Sequence, residues 1–155
     1  MRKLLFVLCI TMYGCAQTSQ LMGTLNSDFR GVKYENIVIG TSISNLEYSS
    51  KIQSAFCQEF TKRKIKCHEY RLLFPLSSRF TSEQTAKIFR ENNVDAYLAV
   101  FDGIKPPDLP YRVTLIDVDT GLAVWTAHFL GPQDPEKGLI AKVISDLISN
   151  RVIQP

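Results

Sequence analysis

Hydrophobic and polar positions change period several times along this chain, and each change predicts an element. Ile37-Val38-Ile39 is a continuous apolar run closed by Gly40, the pattern of a strand buried on both faces. Ser44 with Glu47 three residues later forms a capping-box signature and predicts a helix start. That helix runs from about residue 45 to residue 64, with Ile52, Ala55, Phe56 and Phe60 on one face. Lys62, Arg63 and Lys64 sit at its end, where cations complement the helix dipole. Ile65 to Tyr70 alternates and predicts a strand nearer a sheet edge, followed by a loop through Pro75. Thr81 and Gln84 make a second capping box, opening a helix to about Asn92 with Ala86 and Phe89 inward. Ala96 to Phe101 is the most apolar run outside the amino terminus and predicts a central strand.

Gly103, Pro106, Pro107 and Pro110 make residues 102–110 a loop. Tyr111 to Val118 and Leu122 to Leu130 are two β-rich runs joined by Asp119-Thr120-Gly121, a hairpin loop with Gly placed for a positive φ. In the second run Ala123, Trp125, Ala127 and Phe129 share one face, and Val124, Thr126 and His128 the other. Asp134 is placed to cap a last helix with Pro135 at its first position and a wide stripe from Leu139 to Ile148. The expected order is β-α-β-α-β-β-β-α. It implies an α/β fold: a single three-layer domain over residues 35–155, with three parallel strands and an antiparallel hairpin in one mixed sheet.

The amino terminus follows different rules. Met1-Arg2-Lys3 precedes the apolar stretch Leu4 to Tyr13 and the small residues Gly14 and Ala16, the layout of a secretory signal. The stretch is too short to cross a bilayer as a helix, which needs about 20 residues. Met12-Tyr13-Gly14-Cys15 resembles the lipobox of bacterial lipoproteins, which implies a signal peptide over residues 1–14 and fatty acyl chains on Cys15. Ordinary cleavage after Ala16 is the competing reading. Ala16, rather than Asp, follows Cys15, and by the same resemblance this implies the outer membrane, facing the periplasm. Residues 15–34 are then the anchor and a flexible tether, spanning about 24 Å as a coil. Leu21, Met22, Leu25 and Phe29 are the positions through which part of it would pack on the domain instead.

Composition narrows the chemistry. The chain has 155 residues, is 45% hydrophobic and 21% charged, and so is neither disordered nor low in complexity. A net charge of +3 is too small a surplus for a nucleic-acid protein. Of four cysteines, Cys9 leaves with the signal and Cys15 takes lipid, leaving Cys57 and Cys67 as one pair in an oxidising compartment. They either form a disulfide or stay as two buried thiols.

No constellation of catalytic or metal-ligating residues stands out, and no cofactor is expected. Cys67 and His68 are neighbours on a strand and point to opposite faces, so they do not make a nucleophile and base. Cys57, Cys67, His68 and His128 match no zinc spacing. The Gly40 to Ser44 turn lacks the glycine patterns of nucleotide loops, and Asp117 with Asp119 is too few carboxylates for calcium. Lys62 to Lys66 is a basic run, either a solvated helix end or a contact for lipid headgroups or an acidic partner. The stiff segment containing Lys105, Pro106, Pro107, Asp108 and Tyr111 is the candidate partner-binding loop.

Two phrases carry a family likeness. Asn93-Val94-Asp95-Ala96-Tyr97-Leu98-Ala99-Val100 joins a helix end to a strand, and Leu115 to Trp125 forms an Asp, Thr-Gly, Trp hairpin. Together they resemble small envelope lipoproteins with a domain similar to the amino-terminal domain of the translocation protein TolB. The curli-secretion lipoprotein and a penicillin-binding-protein activator lipoprotein belong to that broad group. The likeness covers roughly residues 35–150, and the long pore-forming insertions of the curli lipoprotein are missing from it. It implies a lipid-anchored, non-enzymatic interaction or assembly module of the bacterial envelope, held to the membrane through Cys15 and working with an envelope protein partner. The alternatives are a small-ligand-binding or enzymatic periplasmic domain, and a self-associating structural component.

Overall fold

The computed structural model describes residues 19–75, 79–102, 111–130 and 135–154, the side chains of 135–137 aside. Its strands are β1 (Gln20–Leu25), β2 (Asn36–Ser42), β3 (Lys66–Glu69), β4 (Ala96–Asp102), β5 (Tyr111–Asp117) and β6 (Ala123–Leu130). Its helices are α1 (Leu46–Lys62), the single turn α2 (Tyr70–Leu73), α3 (Ser82–Glu91) and α4 (Pro135–Ser149). One six-stranded sheet runs in the order β1-β6-β5-β4-β2-β3. β2 lies parallel to both β3 and β4, and the β5-β6 hairpin extends the sheet antiparallel from β4. The α/β fold, the mixed sheet and the parallel trio with its hairpin are as the pattern implied.

The amino-terminal stretch departs from expectation. Within the expected tether of residues 15–34, Gln20–Leu25 pairs antiparallel with β6, from Gln20 opposite Leu130 to Leu25 opposite Trp125, and Leu21, Leu25 and Phe29 pack on the domain, as the alternative reading of that segment has it. A short 3-10 turn at Ser27–Phe29 follows, with Phe29 buried. The mixed polar composition hid the strand because it is an edge strand, with Leu21 and Leu25 packed on the core and Met22 and Thr24 exposed. Gly23 lets it close. A Cβ there would strike the Asp146 carboxylate and the Trp125 indole nitrogen, which are themselves hydrogen-bonded, Nε1 donating to Oδ2 at 2.7 Å. Three smaller corrections concern helices and pleat. Asn45, not Ser44, caps α1, accepting from the Tyr48 N–H at 2.9 Å. The expected loop after β3 begins as the helical turn α2. A bulge at Leu115/Ile116 shifts the register, so Ala123 is exposed and Val124 joins Trp125 in the core.

Alternation along the strands sorts the core into two layers. Ile37 and Ile39, Leu98 and Val100, Val113 and Leu115, and Trp125, Ala127 and Phe129 face α1 and α4. From α1 come Ile52, Phe56 and Phe60, all fully buried, each such side chain contributing roughly 2–3 kcal/mol. From α4 come Leu139, Ile140, Val143, Ile144 and Leu147. On the other face a smaller cluster joins Val38, Phe74, Phe89 and Val94 with Tyr70 and Tyr97. Tyr97 lies over Gly40, where a Cβ would clash with its phenol ring. This second layer covers β3, β2 and β4 only.

Polar latches fix the parallel trio. The buried Asn36 donates through Nδ2 to the carbonyls of Asn92 (2.9 Å) and Asn93 (2.7 Å), tying the start of β2 to the end of α3. Asp95 Oδ2 accepts from the backbone N–H groups of Glu35 (3.1 Å) and Asn36 (2.9 Å). Cys57 in α1 and Cys67 in β3 are disulfide-bonded with Cα atoms 5.1 Å apart. The bond staples the outermost parallel strand to its crossover helix.

Two measurements follow from this packing. Reducing the Cys57–Cys67 bond, or replacing both residues by Ala, should lower unfolding free energy by roughly 2–3 kcal/mol; a urea midpoint unchanged by reductant would contradict the staple. Gly23→Ala should cost about 1–3 kcal/mol by forcing Trp125 and Asp146 apart. Trp125 is the sole tryptophan, so its fluorescence reports the change directly, and an unaltered spectrum and stability would mean that β1 does not sit against this pair.

Candidate functional site

Because α2 and α3 stop at β4, the second face of β5, β6 and β1 has no helix over it among the described residues. The pleat decides which side chains it presents. Phe101 of β4 stands opposite Arg112 of β5, which stands opposite His128 of β6, which stands opposite Met22 of β1. One step along, Ala99, Thr114, Thr126 and Thr24 form the next row. Arg112 lies over the Phe101 ring, 4.7 Å from its centroid, and Thr126 Oγ1 is 3.5 Å from Thr114 Oγ1. Met22 is 48% exposed, while Thr114, Thr126 and His128 are half-buried. The surface is mildly apolar, dotted with threonine hydroxyls and the Arg112 cation. Such a face suits protein docking better than enclosure of a small molecule.

The residues singled out in the sequence are scattered. Cys15 lies outside the described residues, as do Lys105, Pro106, Pro107 and Asp108. Tyr111, the last member of that loop, begins β5 and is half-buried beside Asp102. Cys57 and Cys67 meet under α1, whereas His68, level with Val38, points to the opposite face. No group of three His, Cys, Asp or Glu converges among the described residues.

The expected turn from Gly40 to Ser44 is strand through Ser42, since Gly40, Thr41 and Ser42 pair with β4, and it holds a polar knot rather than an open cradle. Gln53, almost fully buried, donates through Nε2 to Thr41 Oγ1 (3.1 Å) and Ser49 Oγ (3.2 Å). Its Oε1 accepts the Arg71 N–H at 3.3 Å, and Thr41 and Ser49 are hydrogen-bonded to each other. The knot fastens α1 and α2 to the end of β2, so its hydroxyls and amide are spent on structure. A buried Gln inside a helix was not flagged by sequence reasoning, because its neighbours supplied the apolar period.

At the other end of the sheet, Asp117 Oδ1 accepts from Thr120 N (2.8 Å) and Oγ1 (2.7 Å), and Oδ2 accepts from Tyr34 Oη at 3.0 Å. Burial pushes this carboxyl up, but the hydrogen bonds from Thr120 and Tyr34 outweigh it and hold the group below its usual range. Gly121 turns the hairpin at φ +70°. Burial, then the Asp117 bond, raises Tyr34 well above an ordinary phenol. Burial pushes Tyr97 up to about 12. Both phenols stay protonated near neutral pH and serve as packing groups and donors. The basic run is partly neutralised. Lys62 Nζ and Arg63 Nη1 both pair with Glu59, at 2.5 and 2.8 Å, while Lys64 and Lys66 are exposed.

Compared by sequence, the chain matches no family model and no curated protein. Compared by structure, it is similar to PelC from Paraburkholderia phytofirmans, a dodecamer seen in two crystal forms. One match has a TM-score of 0.53 at 13% identity, covering 86% of this chain and 97% of that one. The other has 0.53 at 10%, covering 89% and 100%. The lipoprotein GNA1162 from Neisseria meningitidis gives 0.44 at 10% identity over 76% of this chain and 96% of that one. TolB from Acinetobacter baumannii gives 0.45 at 12% over 87% of this chain but only 31% of TolB. At these identities what the chain shares with PelC is the fold.

Proposed function

We propose that this chain is a lipid-anchored, non-enzymatic interaction module of the bacterial envelope, which docks an envelope protein on the open face of β5, β6 and β1. The observation that carries the reading is that half-covered sheet, with Met22, Phe101, Arg112, Thr114, Thr126 and His128 in two cross-strand rows. A sheet face of this breadth without a helix over it is unusual in an α/β domain, where both faces are ordinarily covered. The Cys57–Cys67 bond suits an oxidising compartment. No described helix is long and apolar enough to cross a membrane. Membrane attachment is assigned to acyl chains on Cys15 after cleavage of residues 1–14, at the periplasmic side of the outer membrane. The resemblance of the Asn93 to Val100 and Leu115 to Trp125 phrases to TolB-like lipoproteins supports the same setting.

A second reading is self-association, favoured by the fact that PelC, of the same fold, is a dodecamer. The open face then receives a second copy rather than a different protein.

Two variants test these statements separately. Cys15→Ser should move the protein from the membrane to the soluble periplasmic fraction, and mass spectrometry of the wild-type mature amino terminus should find acyl chains on Cys15. Thr126→Arg together with Thr114→Glu should abolish recovery of a crosslinked, stoichiometric partner while leaving the thermal midpoint nearly unchanged. Recovery of the same partner by the double variant would refute docking on this face. The mass of the soluble domain distinguishes the readings: a monomer sinks self-association.

A further inference from the structure

The two lateral edges of the sheet are protected unequally. At one edge β3 is short, carries Lys66 and Glu69, and runs straight into α2. Brevity and charge are devices by which edge strands refuse further pairing. At the other edge β1 is six residues long and in unbroken register with β6. No charged residue or proline occurs from Gln20 to Ser27. Among the described residues the sheet ends at β1.

One contact sets the hydrogen-bonding phase of that edge. The Asn26 N–H donates to the Val124 carbonyl at 2.8 Å, one position beyond the Leu25–Trp125 pair. Backbone groups alternate sides along a strand, so Asn26, Thr24, Met22 and Gln20 bond toward β6, while Leu21, Gly23 and Leu25 turn their N–H and C=O groups outward. The side chains of Leu21 and Leu25 lean on the helix-covered core and are only half-buried. Leu21-Met22-Gly23-Thr24-Leu25 has leucine two positions to either side of glycine. An antiparallel partner runs in the reverse direction, so a stretch symmetric about its centre suits a second copy of itself.

We propose that β1 pairs antiparallel with β1 of a second copy about a two-fold axis at Gly23, joining the two domains through one continuous sheet. Gly23 then opposes Gly23 of the second copy, and Leu21 opposes its Leu25, each as a hydrogen-bonded pair that uses the outward N–H and C=O groups. The paired leucines cover each other's exposed flank on the helix side. On the other side Met22 and Thr24 meet across the axis in non-hydrogen-bonded pairs. A slip of one residue would set outward-turned groups against inward-turned ones and form no ladder; a slip of two would oppose Leu25 with Ser19 and lose the leucine pair. The charge above Gly23, the Asp146 carboxylate, already accepts from Trp125 Nε1 at 2.7 Å and Asn150 Nδ2 at 3.1 Å, so the axis brings together no carboxylate without donors. The pairing uses the edge and leaves the face carrying Thr114 and Thr126 free in both copies. It goes beyond docking on that face and stands without it.

The test is register-specific crosslinking in cells. The full chain carries Cys9→Ser and Cys15→Ser, so the outcome does not depend on acylation, and the Cys57–Cys67 bond leaves an introduced thiol as the reactive one. Differently tagged Met22→Cys and Thr24→Cys chains are co-expressed and oxidised with copper phenanthroline; both positions are exposed, so neither substitution empties the core. Non-hydrogen-bonded antiparallel pairs hold Cα atoms about 4.5 Å apart, within disulfide reach. The mixed 22–24 dimer should exceed both homodimers several-fold, and it should persist when both chains also carry Thr114→Glu and Thr126→Arg. Its loss in that background assigns the second copy to the open face and overturns edge pairing. A preponderant Met22→Cys homodimer, a crosslink to a different protein, or no crosslink beyond that of the parent chain overturns it equally. Docking of a different protein on the open face is decided separately, by recovery of that partner.

Discussion

The constraint that shapes this protein is coverage. A sheet six strands wide presents two broad faces, and the helices supply apolar area for one of them and half of the other. α1 and α4 together seal the face built from Ile37, Leu98, Leu115 and Trp125. α3 is short, and with the single turn α2 it reaches no further than Tyr97 and Val118. Among the described residues, strands β5, β6 and β1 are thus covered by helices on one side only. Threonine, His128 and Arg112 are tolerable there in water, while Met22 and Phe101 are not fully satisfied by it.

The arrangement makes sense of residues that chemistry alone leaves idle. Gly40 yields space to Tyr97, Gly23 yields space to the Trp125–Asp146 pair, and the Gln53 knot welds the ends of β2, α1 and α2. Some polar groups with perturbed environments hold elements together. Asp117 is an example: a carboxylate in a turn that accepts from a backbone amide, a threonine hydroxyl and a distant tyrosine is a structural clamp, and its ionised form is favoured by those three donors.

Pairing of β1 with β6 fixes where the chain enters the sheet. Gln20 stands opposite Leu130, at the end of the sheet where β2 stops at Ser42 and β4 at Asp102. That strand end and the face carrying Thr114 and Thr126 are different surfaces of the domain.

Much was legible in the sequence where a local rule dominates. Thr81 with Gln84 forms its capping box, and Gly121 takes its positive φ. Ile37 to Ile39 and Ala96 to Phe101 read as buried strands, because each is a short apolar run bounded by turn or helix-stop residues. What escaped depends on partners distant in sequence. β1 is polar on its outer face and acquires its identity only from β6, more than a hundred residues later. The bulge that turns Ala123 outward, the buried amide of Gln53 and the Asn36 latch are likewise invisible until the elements pack. By itself, the order of apolar and polar residues determined the α/β class, the helix starts and the hairpin, since those are decided within a few residues. Which half of the sheet stays bare, and which edge the amino terminus enters, was decided only by tertiary structure, because both depend on how far helices reach across strands brought together from the whole chain.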